Sequence, residues 1–198
     1  MPRSLVDPEA RMLNHAEFVY PPGDRALARH LFESLGCRVV DPQTDPIPEA
    51  LGPAAGPYLI VYLDSACEDV IDNVLYLSEV PAAQWEFEQH LRDVIAQDAE
   101  LVRKRDAMRD QYTTLPQAMT HLGLAFPSVE VLDATVKSLA EDRELAGRIE
   151  LSPVFRPGGG GGLDDRIVQT FVHTDICSNG LLYVGQRFEL QVRLDLAG

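Results

Sequence analysis

Glu189 stands at the centre of the run Gly185-Gln186-Arg187-Phe188-Glu189-Leu190-Gln191-Val192-Arg193, in which polar and apolar residues alternate. A period of two is that of a strand with one apolar face, and it gathers Arg187, Glu189, Gln191 and Arg193 on the other. A carboxylate so placed is either a solvated outer residue or a ligand inside a curved sheet, and the pattern alone does not choose. Among five histidines, His15 and His121 each open a strand-like stretch that soon reaches an aromatic residue, Phe18 and Tyr20 in one and Phe126 in the other. His173 shares a predicted strand face with Gln169, Phe171 and Asp175. Its imidazole, with an ordinary pKa of about 6.5, is suited to proton transfer if that face is enclosed. Tyr183, shortly before Glu189, is placed either to hydrogen-bond a bound oxygen or to cover the sheet end. His30 and His90 fall on predicted helices and read as solvated or partly packed.

The elements that must carry these residues come twice. Residues 12–20 read as a strand, closed by Pro21-Pro22-Gly23, with Asp24 as N-cap of a helix striped by Ala26, Leu27, Leu31 and Leu35 and ended at Gly36. Strands follow at 37–40, 58–63 and 74–80, separated by a Pro/Gly-rich connection over 41–57. The second unit repeats the order: a strand over 119–126, a helix capped by Ser128 and ending near Gly147, and strands at 149–155, 167–176 and 183–194, with Gly158 to Gly162 and Asp164-Asp165 as a hairpin loop. Between them, residues 82–111 carry Trp85, Leu91, Val94, Ile95 and Leu101 among charged residues without Gly or Pro, predicting one or two amphipathic helices. The divisions are a first βαβββ module over 11–80, a helical connector over 81–118 and a second βαβββ module over 119–198.

The 198 residues suffice for a substantial core, and 45% hydrophobic with 24% charged residues describe a globular chain. A net charge of -14, from 31 acidic and 17 basic residues, argues against nucleic acid or an anionic membrane as the main partner. No apolar run is long enough to span a bilayer and the N-terminus lacks the apolar core of a secretion signal, so a cytoplasmic location is expected. Cys37, Cys67 and Cys177 are far apart and form no CxxC pair, which supports neither a disulfide framework nor a thiolate zinc site.

On this duplicated frame, Leu13-Asn14-His15, Thr120-His121-Leu122-Gly123-Leu124 and Gly185-Gln186-Arg187-Phe188-Glu189-Leu190 resemble the vicinal oxygen chelate superfamily, which includes glyoxalase I, bleomycin-binding proteins and extradiol dioxygenases. The resemblance implies an α+β fold in which two βαβββ modules form a cupped mixed sheet. It also implies a divalent metal ion (Fe, Mn, Co, Ni or Zn) on His15, His121 and Glu189, donors that suit such ions. Tyr76 occupies the place of a fourth ligand, and Glu79, three residues on, is the reserve. His173 for proton transfer and Tyr183 for orientation follow the order His, Tyr, Glu, which is similar to the ending of extradiol dioxygenases, although the turn between them differs. The implied function is a metal-dependent enzyme chelating a vicinal-oxygen substrate, oxygenation being favoured over isomerisation. The alternatives are a metal-free protein that sequesters a small molecule such as an antibiotic, a glyoxalase I-like lyase or isomerase if Glu79 is a ligand, and an interaction module working through the connector helices. The expected partner is a small-molecule substrate, with a homodimer allowed.

Overall fold

The structure is a computed structural model that describes residues 14–46, 56–66, 73–159 and 166–195. The expected start of the first strand at residues 12 and 13, much of the 41–57 connection, Cys67, and the loop residues Gly160 to Gly162 with Asp164 and Asp165 lie outside the described residues. The first module comprises β1 (His15–Tyr20), α1 (Arg25–Ser34), β2 (Arg38–Val40), β3 (Leu59–Tyr62) and β4 (Val74–Glu79). Its strands form one sheet in the order β1-β4-β3-β2, with β1 parallel to β4 and the other pairs antiparallel. The connector holds α2 (Ala82–Gln97), α3 (Ala99–Arg109) and the single turn α4 (Gln111–Thr114). The second module comprises β5 (Leu122–Ala125), α5 (Val129–Glu141), β6 (Ile149–Leu151), β7 (Ile167–Thr174) and β8 (Gln186–Arg193). Its sheet order, β5-β8-β7-β6, repeats that of the first. The α+β architecture of two βαβββ units around a helical connector is therefore present, as two separate open sheets.

Strand alternation explains how the sheets meet. Phe18, Leu75 and Leu77 in the first sheet, and Val168, Val172, Phe188 and Leu190 in the second, belong to one buried cluster together with Leu31 and Phe32 of α1 and Leu132 and Leu139 of α5. Phe188 stacks on Phe18 at 6.0 Å between ring centroids and meets Phe32 edge-on at 5.5 Å. The apolar faces thus share one core, and removal of this surface from water is what joins the modules. Because side chains alternate along a strand, the opposite faces, with His15 and Tyr76 on one sheet and Glu189 on the other, turn away from that core.

Two local expectations take a different form. Asp24 makes no side-chain cap bond to α1. Its carboxylate instead accepts from Arg148 at 2.8 Å, linking the modules beside the His30–Asp142 contact of 2.8 Å. Tyr183 lies in the turn before β8 rather than on the strand. There its backbone N–H donates to Glu88 Oε2 at 2.6 Å, while Gln84 donates to Glu88 Oε1 at 2.8 Å. Glu88 is wholly buried, so this carboxylate fastens α2 to the turn that leads into β8. Ser128 caps α5 as expected by accepting from the Val131 N–H. Cys37 and Cys177 are free thiols, and burial pushes Cys37 up to about 12.

Candidate functional site

Parallel pairing of β5 with β8 sets Gly123 opposite Glu189, with His121 one step before the first paired residue. That register brings His121 Nε2 to 3.1 Å from Glu189 Oε2. Each remaining polar atom of the pair is held. His121 Nδ1 lies 2.8 Å from the carbonyl oxygen of Met119, and Gln191 Nε2 donates to Glu189 Oε1 at 2.8 Å. A carbonyl only accepts, so Nδ1 carries a hydrogen and the neutral ring presents a lone pair at Nε2. Two electron-rich atoms facing each other at this distance call for a shared proton or a bound cation between them. A backbone carbonyl behind the ring and an amide behind the carboxylate are the supports that orient metal-binding side chains. The side chains are 26% and 12% exposed, so the pair is reachable from solvent.

The wall beside the pair is aromatic. Phe171 is the β7 residue opposite Glu189; its ring lies edge-on to His121 at 5.3 Å and to Phe155 at 6.4 Å. Gly123 keeps the space above the carboxylate open, since a Cβ there would stand 3.7 Å from Glu189 Oε2. A cleft of about 780 Å³ among the described residues lies elsewhere, between β1, the start of α2 and the loop around Gly180.

The next row of the same face is covered. His173 is paired in register with Arg187, and Tyr112 of α4 packs on both, 4.1 Å from the His173 ring and 4.4 Å from the Arg187 guanidinium carbon. Burial, together with the charges of Arg187 and Arg109, lowers the His173 pKa to about 4. The ring is neutral near pH 7, and its Nδ1 is buried without a partner. An acid working near neutrality needs a proton that this ring does not carry. The Tyr183 ring lies 5.2 Å from the Arg92 guanidinium, against the connector.

The structure brings His121 and Glu189 together, and it does not bring His15 to them. His15 opens β1 on the outward face of the other sheet, its Nδ1 2.6 Å from Asn14 Oδ1 and its ring 5.6 Å from Tyr76. Among the described residues, no three His, Cys, Asp or Glu side chains converge as a metal-binding group. His121 and Glu189 therefore stand as a pair among the described residues, with no third such side chain beside them. Glu79 is in unbroken register with Tyr20, so no bulge turns it toward Tyr76, and its carboxylate accepts from the Gly23 N–H at 3.4 Å. Sequence reasoning passed over Glu88 and Tyr112 as functional groups. Arg187 had a readable signal, its place on the Glu189 face.

No family model matches the chain, and no curated protein does. Among solved structures, the chain is similar to a "putative glyoxalase family protein" from Bacillus anthracis, at 12% identity over 95% of this chain and 99% of that one, with a TM-score of 0.43. No helix among the described residues is long and apolar enough to cross a membrane.

Proposed function

We propose that this chain is a metal-dependent protein of the glyoxalase and dioxygenase type, acting on a small oxygenated molecule at the His121–Glu189 pair. The observation that carries the reading is the 3.1 Å approach of Nε2 to a carboxylate oxygen while the other ring nitrogen is committed to the Met119 carbonyl. A divalent ion there would act as a Lewis acid toward a chelated substrate, or as a site of oxygen chemistry if it is iron. The chain's own contributions are to fix the imidazole tautomer, to hold the carboxylate through Gln191, and to present Phe171 and Phe155 as an apolar wall for the substrate. His173, neutral near pH 7 and covered by Tyr112, has no proton to donate, and proton acceptance is the role left to it.

Titration of metal-free protein with Mn²⁺, Co²⁺ or Zn²⁺ tests the pair. One site per chain is expected, lost in His121→Ala and in Glu189→Gln and retained in His15→Ala. Loss in His15→Ala as well would restore the three-ligand site and, with it, the preference for oxygenation. Absence of binding in the wild-type protein would favour a metal-free sequestering protein, a reading supported by the aromatic wall.

A further inference from the structure

Among the described residues, Arg187 is a buried cation without a counter-ion. The residue is 4% exposed, and its Nη1 is buried with no hydrogen-bond partner. Its Nε donates to the Thr120 carbonyl at 2.8 Å, and its guanidinium lies against the Tyr112 ring. These neutral groups offset part of the desolvation cost and leave the charge itself unneutralised. The carboxylates on the same face are engaged elsewhere. Glu189 is held by His121 and Gln191, and Glu150, the register partner of His173, pairs with Arg109 at 3.1 Å. In a chain with 31 acidic residues, a buried guanidinium with a donor to spare is suited to receive an anion from outside.

We propose that Arg187 anchors a carboxylate-binding pocket beneath Tyr112, beside the His121–Glu189 pair, and that the small molecule taken by this face is a carboxylic acid. Identifying that acid as the substrate of the pair rests on the reading under Proposed function; the anion site stands on Arg187 alone. The donors of a guanidinium form a fork that matches the two oxygens of a carboxylate, and a neutral amide of the same shape cannot neutralise it. The cover is the Tyr112 ring, itself buried. Tyr112 sits on a single turn, and its hydroxyl reaches the Val184 carbonyl only at 3.4 Å. Swinging that ring aside exposes Nη1, and a bound carboxylate replaces the ring as its partner.

The test uses full-length protein freed of metal on a chelating resin, with calorimetric titration of monocarboxylates from acetate to benzoate, each against its primary amide. At least one acid is expected to bind with a preference of tenfold or more over its amide. That preference, read on the metal-free protein, should disappear in Arg187→Met. Tyr112→Ala should keep the preference, because it removes the cover and leaves the charge. Equal affinity for acids and amides, or a preference that survives Arg187→Met, overturns the proposal. If Arg187→Met does not fold, the wild-type and Tyr112→Ala proteins decide: acids must raise the thermal midpoint where their amides do not.

Discussion

His121 and Glu189 owe their arrangement to what stands behind them. The Met119 carbonyl dictates which imidazole nitrogen faces the carboxylate, and Gln191 dictates which carboxylate oxygen is left to face the imidazole. Removing the support without touching the pair should therefore weaken metal binding. Gln191→Leu is expected to lower metal affinity by about 10- to 100-fold with the fold intact, read by the same calorimetric titration. His173 makes a prediction of opposite character, on stability. Its folded pKa of about 4 lies below the ordinary 6.5, so between these values the unfolded chain binds the additional proton. The stabilisation is complete above about 6.5 and declines as pH falls toward 4, by at most about 1.4 kcal/mol per pH unit. His173→Phe keeps a ring under Tyr112 and should flatten that slope, measured as the difference in urea midpoints between variant and wild type across the window. An unchanged slope would mean that His173 is hydrated and titrates normally.

At the scale of elements, the turn from Leu182 to Gly185 aims β8 and with it Glu189. Gly185 has φ +72°, and a Cβ there would run into the Thr174 carbonyl and the His173 ring. Gly185→Ala is expected to cost about 1–3 kcal/mol in chemical denaturation. Glu88→Ala leaves the Tyr183 N–H without its buried acceptor and should cost about 1–3 kcal/mol, with Glu88→Gln recovering part of it. Strand and helix periods made most of these elements legible, because apolar stripes and alternation are dictated by the same burial that the fold achieves. Expectations failed where one side chain had a choice of partner. Asp24 has the chemistry of an N-cap, yet Arg148 from the other module offers its carboxylate a stronger, charged donor. Tyr183 looked like part of a strand, whereas the buried Glu88 holds its backbone in a turn. That carboxylate lies on a helix whose sequence is otherwise that of a solvated connector.

At the scale of the molecule, the two modules share one core, and Phe188 is its hinge of contact between Phe18 and Phe32. Phe188→Ala should cost about 3–5 kcal/mol and destabilise both modules in a single transition, seen as coincident unfolding by near- and far-ultraviolet circular dichroism. Two separate transitions would show that the modules fold independently. The same shared core explains why half of the candidate site was legible. Alternation sorts residues between the two faces of a strand and put Glu189 with Arg187 and Gln191 on the polar face, whereas His121, one residue before β5, came from the repeat and the family resemblance. How two sheets stack is decided by long-range packing that no local period encodes. The resemblance implied His15 beside His121; His15 opens β1 in the other sheet, its ring against Tyr76. The central claim is that His121 and Glu189 together bind a cation, and anomalous diffraction from crystals grown with Co²⁺ or Mn²⁺ tests it most directly. A peak is expected between His121 Nε2 and Glu189 Oε2, within bonding distance of both. A protein-bound peak elsewhere, with the two side chains still in direct contact, would contradict it.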